Sequence, residues 1–279
     1  MPATAVTLPE KIMDFHVHLF PDRLFDAIWK AFVADYGWEV LYKMYHEECI
    51  RYLAGHGVQV AVYSNYAHKK GVARALNEWN LAVLDRHRSL CCFAAYHPDD
   101  EDALDMAAKL LEHPRVLGFK LQLLVQRFHA HDPRLFPLYE LVCKKKKRML
   151  FHAGTGPVCN PFVGVEFFAK VMEAFPGLRA NVAHMGGLEY AGFLSLLDKY
   201  ENLCMDTSFS FLPTGGYNQG TEKLEAHKHR IVYGSDFPNL IFPREDEIQG
   251  LLNLNLSSEF YQAVFWENGK RLLEGAVEA

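Results

Sequence analysis

Lys11-Ile12-Met13-Asp14-Phe15-His16-Val17-His18 is the first apolar run of the chain, and its closing Asp-Phe-His-Val-His sets how the rest is read. Side chains of an extended strand alternate between faces, so the pattern predicts Asp14, His16 and His18 on one face and Phe15 and Val17 on the other. Two imidazoles then converge on one point. A divalent metal is the simplest object that makes such a pair useful, because neutral imidazole nitrogens about 2.0–2.1 Å from zinc satisfy both groups at once. The competing reading is a strand edge that merely carries two histidines, and the remainder of the chain decides between them.

Leu19 to Gly57 is too long for a turn and too apolar for a linker, with Leu24, Phe25, Ile28, Trp29 and Phe32 at helical spacing. It reads as a helical insertion after the first strand, either a flap over the opening above that strand or a helix packed on the exterior. Beyond it the pattern becomes regular. Apolar runs at Val58–Ser64, Leu90–Tyr96, Val116–Gln122, Arg148–Ala153, Leu178–His184, Asn202–Ser208 and Ile231–Asp236 read as strands. Helix-periodic stretches lie between them at Arg74–His87, Asp102–Leu111, Pro133–Lys144, Val165–Phe175, Leu188–Tyr200 and Thr221–Lys228. Such alternation implies parallel strands joined by right-handed crossovers, and eight units close into an α/β (β/α)8 TIM barrel. An open doubly wound sheet is the runner-up, but no Gly-x-Gly-x-x-Gly follows the first strand. Residues after Asp236 add C-terminal helices, including Ser257–Leu273, and 1–279 reads as a single domain.

With 50% hydrophobic residues in 279, the chain can bury one large core. A net charge of -5 offers no electrostatic footprint for nucleic acid or an anionic membrane, which leaves small molecules as the expected partners. No apolar run approaches the roughly 18–20 residues of a membrane span, and the N-terminus lacks the basic-then-apolar pattern of an export signal. Six cysteines without a C-x-x-C pair suit reduced thiols in the cytoplasm. Homo-oligomerisation stays open. The one charge run, KKKKR at 144–148, reads as the solvated last turn of a helix, where cations oppose the negative dipole end, rather than as a nucleic-acid contact.

In a barrel of this kind chemistry lives at the C-terminal ends of the strands. His16 and His18 end the first strand, Lys120 and Gln122 the fourth, His152 the fifth, His184 the sixth and Asp236 the eighth. All fall on one rim. The segments DFHVH (14–18), GFKLQ (118–122), LFHAGTG (150–156), AHMGG (183–187) and YGSDFP (233–238), in that order, resemble the amidohydrolase superfamily. The resemblance is to its amidohydrolase 2 branch, which includes a semialdehyde decarboxylase and various lactone and amide hydrolases. It implies His16, His18, His152 and Asp236 as metal ligands, with His184 as a catalytic histidine or a ligand to a second ion. The chemistry agrees independently. Three neutral imidazoles and a carboxylate leave a position open for water, whose pKa a Lewis acid lowers towards roughly 7. Asp236 can take a proton from that water, and His184 can polarise a carbonyl or protonate a leaving group. One zinc ion is the expected metal, although manganese, cobalt or iron fit the same donors.

Lys120 has three readings: a carbamate bridging two metals, as in some superfamily members, a contact to a substrate carboxylate, or a lysine tied to an acidic neighbour. The latter two are preferred. Asp14 either orients a ligand histidine or bonds to barrel backbone or Lys120. Asp206 and Ser208 share a strand face and either line the pocket or are ordinary strand-end polarity. Arg127, His129 and His131 either meet an anionic substrate or belong to a surface loop.

The reaction expected is hydrolysis, in which a metal-activated water cleaves an ester, lactone or amide of a small molecule that can itself carry a carboxylate. The alternative is a metal-dependent non-oxidative decarboxylase, which an arginine clamp from Arg51, Arg74 or Arg127 would favour. A metal-stabilised binding protein without turnover is the reading from a different class, and an open site with a spare carboxylate and imidazole argues against it.

Overall fold

The computed structural model describes residues 10–212 and 216–276. The strands are β1 (Ile12–His18), β2 (Val58–Ser64), β3 (Leu90–Ala95), β4 (Val116–Gln122), β5 (Arg148–His152), β6 (Arg179–Val182), β7 (Leu203–Asp206) and β8 (Ile231–Val232), with helices between them. They pair in parallel in sequence order from β1 to β8. The last seam closes through a bridge between Val17 and Phe237, with Phe15 N donating to the Tyr233 carbonyl at 2.8 Å and His18 N to the Phe237 carbonyl at 2.7 Å. This is the expected (β/α)8 barrel.

Met13, Phe15, Val62, Phe93, Leu117 and Leu150 fill the barrel interior, one wall meeting the next below the histidines. Each fully buried side chain of this size contributes about 1.5–3 kcal/mol. A larger apolar shell joins the outer strand faces to the helices. No helix among the described residues is long and apolar enough to cross a membrane.

Four local expectations are corrected. First, β1 is not a plain alternating strand: Asp14 pairs with Ala61 and Val17 with Tyr63, a bulge of one extra residue. Phe15 therefore packs in the interior layer, while Asp14 turns away and accepts from Ser235 N at 3.0 Å and Ser235 Oγ at 2.6 Å. Second, β6 ends at Val182, since His184 and Met185 adopt left-handed φ of 58° and 52°, and β8 ends at Val232, leaving Asp236, at φ 62°, in the loop four residues beyond it. Third, Ser257–Leu273 is not one α-helix; a π turn at Ala263–Glu267 separates Ser258–Gln262 from Asn268–Leu272. Fourth, only the first part of KKKKR is solvated. Lys147 Nζ donates to the Val116 carbonyl at 2.7 Å and Arg148 Nη1 to Asn181 Oδ1 at 2.9 Å, under the strands rather than in solvent.

The insertion after β1 forms two helices, α1 (Asp22–Tyr36) and α2 (His46–Gly55). α1 lays Leu24, Ile28 and Phe32 along the cavity above the strand ends, so it is the flap; α2 packs on the outside against β2.

Candidate metal centre

The bulge in β1 aims His16 inward, towards Lys120 on β4, and His18 follows one turn of the pleat later. His16 Nδ1 lies 2.9 Å from Asp206 Oδ2 at the end of β7, and His18 Nδ1 lies 3.3 Å from the Ser64 carbonyl at the end of β2. A carboxylate and a carbonyl only accept, so each Nδ1 carries the proton and each Nε2 presents a lone pair. Those lone pairs face Asp236 Oδ1, which is 3.2 Å from His16 Nε2 and 3.0 Å from His18 Nε2. Lys120 Nζ reaches His16 Nε2 at 3.3 Å, but no donor lies between the His18 Nε2 lone pair and Asp236 Oδ1, a buried oxygen without a hydrogen-bond partner. A cation resolves that conflict. Two neutral imidazoles and a carboxylate are donors of the kind that hold zinc or another divalent first-row metal, so the residues fit the ion.

Protonation follows the same logic. Burial lowers the pKa of His16 despite the neighbouring Asp206, and it pushes His184 down to about 4 and His152 well below the ordinary imidazole value. Burial alone would raise Asp236, but His18 and His16 hold its carboxyl below the usual range. Neutral imidazoles and an ionised carboxylate are the forms that coordinate metal.

His152 is placed differently. Its Nε2 donates to the Gly156 carbonyl at 2.7 Å and its Nδ1 lies 3.1 Å from His184 Nε2, so it stands outside the His16, His18, Asp236 group. His184 is fixed by two partners from the end of β7: its N–H donates to Asp206 Oδ1 at 3.0 Å and its Nδ1 lies 2.8 Å from Ser208 Oγ. Its left-handed backbone is shared by Phe209 and Asp236 on the same rim, and such strained positions gather at functional sites. Lys120 is fully buried, with Nζ 3.3 Å from His16 Nε2 as its hydrogen-bonding partner rather than a carboxylate, and burial lowers its pKa to about 8. Asp14 bonds to barrel backbone and Ser235, not to Lys120.

Asp206 does more than the sequence reading allowed. It fixes the His16 tautomer through Oδ2 and ties His184 N and Ser208 N through Oδ1, and Ser208 Oγ also donates to it. His16, His184 and Asp206 form a second cluster of potential donors. A metal there would need the His16 Nδ1 lone pair, which the ring cannot offer while Nδ1–H donates to Asp206. The cluster is therefore read as the hydrogen-bonded support of the first one. Space around it is tight: a Cβ on Gly234 would lie 2.7 Å from His16 Cβ. Asp206→Asn is expected to weaken metal binding about 10–100-fold with little change in shape, measurable by competition against a chromogenic chelator.

A cavity of about 580 Å³ opens on His18, His152, His184 and Asp236. Its walls are Phe20, Leu24, Ile28, Phe32, Tyr66 and Phe209, largely from the insertion and the strand-end loops. Arg51, Arg74 and Arg127, the candidates for a carboxylate clamp, are not among the described residues that line it. Arg74 instead pairs with Asp102, and Arg127 is exposed.

Solved structures share the fold, among them the following three. A TIM-barrel protein from Bordetella bronchiseptica matches with TM-score 0.72 at 18% identity, covering 95% of this chain and 99% of that one. A 5-carboxyvanillate decarboxylase from Novosphingobium aromaticivorans, complexed with manganese, matches at 0.69 and 12% identity over 95% and 96% of the two chains. A probable 2-pyrone-4,6-dicarboxylic acid hydrolase from Acinetobacter baumannii matches at 0.63 and 16% over 95% and 99%. Among curated proteins none matches. The family model described as Amidohydrolase matches residues 13–275, and the chain accordingly belongs to the amidohydrolase family.

Proposed function

We propose that the protein is a metal-dependent hydrolase of a small, largely apolar ester, lactone or amide. The observation that carries this reading is the cavity, in which aliphatic and aromatic side chains lead down to the convergent His16, His18 and Asp236. An anionic substrate body would be desolvated against those walls and would meet the carboxylate of Asp35 beside them, both of which cost free energy. His16, His18 and Asp236 would hold one divalent metal, zinc or manganese, and His152, next to His184, would be the nearest further imidazole to join them. When bound, the metal supplies Lewis acidity towards a carbonyl and a water. Asp236 accepts the proton of the attacking water and passes it to the leaving group, and His184, neutral and held by Ser208, hydrogen-bonds the carbonyl as negative charge develops on it. Lys120, fully buried with Nζ 3.3 Å from His16 Nε2, positions that ring from behind and does not line the cavity. Six free thiols suit a reducing, cytoplasmic setting.

A second reading has its own support in the aromatic walls. They also fit a flat aromatic acid whose carboxylate is lost as carbon dioxide, the reaction class named for the Novosphingobium neighbour. One experiment separates the two. Metal-loaded protein is screened against aryl and alkyl lactones, esters and amides and against aromatic acids, with the carboxylic acid and alcohol or amine products and carbon dioxide followed in parallel. Hydrolysis products without gas are expected; gas from an aromatic acid without any hydrolysis makes the protein a decarboxylase. With a turned-over substrate in hand, Ile28→Ala should raise KM about tenfold through lost apolar contact, with metal content unchanged.

A further inference from the structure

The opposite face of the barrel carries a second cavity, of about 830 Å³, at the ends where the strands begin. Its charge is unlike that of the molecule. Lys145, Lys146, Arg148, Arg179, Arg230 and Arg271 line it together with Lys147, against two carboxylates, Glu201 and Glu274, in a chain of net charge -5. The arginines are held in place without being neutralised. Arg148 Nη1 donates to Asn181 Oδ1 at 2.9 Å, Arg179 Nη1 to the Lys146 carbonyl at 3.0 Å, and Arg271 Nη2 to the His229 carbonyl, leaving further N–H donors on each guanidinium. Among the described residues none of the seven cations forms an ion pair with a carboxylate, whereas exposed cations elsewhere, such as Arg74 and Arg134, do.

Concentrating like charge in this way is unfavourable unless something offsets it. Burial is the main cause that lowers the Arg148 pKa; Cys204 opposes it, and the charges of Arg179 and Arg271 add a smaller lowering. Planar guanidiniums anchored along one edge suit phosphate oxygens, which they bind through paired N–H donors, and lysines add point charge around them. We propose that this cavity binds a small polyphosphate, a di- or triphosphate group either free or carried by a nucleotide. The site lies across the barrel from the candidate metal centre and does not depend on the reaction assigned there.

The test is isothermal titration of the metal-loaded protein with inorganic tripolyphosphate at about 0.15 M salt, where screening of exposed charges is already strong. One equivalent is expected to bind, and the exposed pair Arg179→Ala and Arg271→Ala together should weaken it at least tenfold while metal content and thermal melting stay unchanged. Arg148→Lys, which keeps the charge but removes the fork, should weaken it as well. Adenosine triphosphate and citrate distinguish the source: tighter binding of the nucleotide assigns a nucleoside-borne group, equal binding assigns the free anion, and citrate binding as tightly as tripolyphosphate overturns the choice of phosphate. Binding that survives the double substitution belongs to the metal on the other face and overturns the proposal. Absence of any saturable heat does the same.

Discussion

His16→Ala is expected to leave a folded protein with neither metal nor turnover. The ring provides one of the three donors that meet at Asp236 Oδ1, and its loss removes a ligand outright. The effect should exceed the about 10–100-fold that loss of an outer hydrogen bond costs a metal site. The substitution also strands Asp206 Oδ2, buried and deprived of its partner at 2.9 Å, at a cost of about 1–3 kcal/mol in stability. His18→Ala separates the two consequences, because His18 Nδ1 faces a main-chain carbonyl rather than Asp206. It should lose metal with a smaller drop in melting temperature. Metal content after desalting, together with a thermal melt of each variant, checks both statements. Full metal retention in both variants would remove the strand-end cluster as the site.

His184→Ala is expected to behave in the opposite way, keeping its metal and losing about 10²–10⁴ in kcat, the usual worth of a positioned acid–base group. Its side chain contacts Ser208 and His152, and it is not part of the His16, His18, Asp236 group. Stability should change little, since the backbone bond from His184 N to Asp206 survives the substitution. Equal loss of metal and rate would instead make His184 a ligand. A full rate would take away its assigned role.

The barrel was legible because its strands announce themselves. Val58–Ser64 and Val116–Gln122 begin and end where their apolar, β-branched pattern does, and each is bounded by a helix stop or start. The rim residues could be read from position alone once strand ends were known. What was hidden depends on contacts between distant parts of the chain. The bulge at Asp14–Val17 is a matter of pairing with β2, and a run of alternating residues looks the same with or without it. Asp206 was read as lining or ordinary strand-end polarity, since nothing near it in sequence says that His16, 190 positions away, would donate to it. Its place at the end of β7, whose partner β8 lies beside β1, is the signal that a barrel register could have used. The charge run failed for a related reason. Lys144 ends a helix as expected, but the carbonyls that take Lys147 come from His113 and Val116, on the neighbouring loop and strand.

The proposed metal centre requires one ion lying among side chains from β1 and the loop after β8. Anomalous diffraction from crystals of the zinc- or manganese-loaded protein measures this directly. The predicted result is a single strong peak about 2.0–2.2 Å from His16 Nε2, His18 Nε2 and an oxygen of Asp236. A peak elsewhere, or none in protein that turns substrate over, would contradict it.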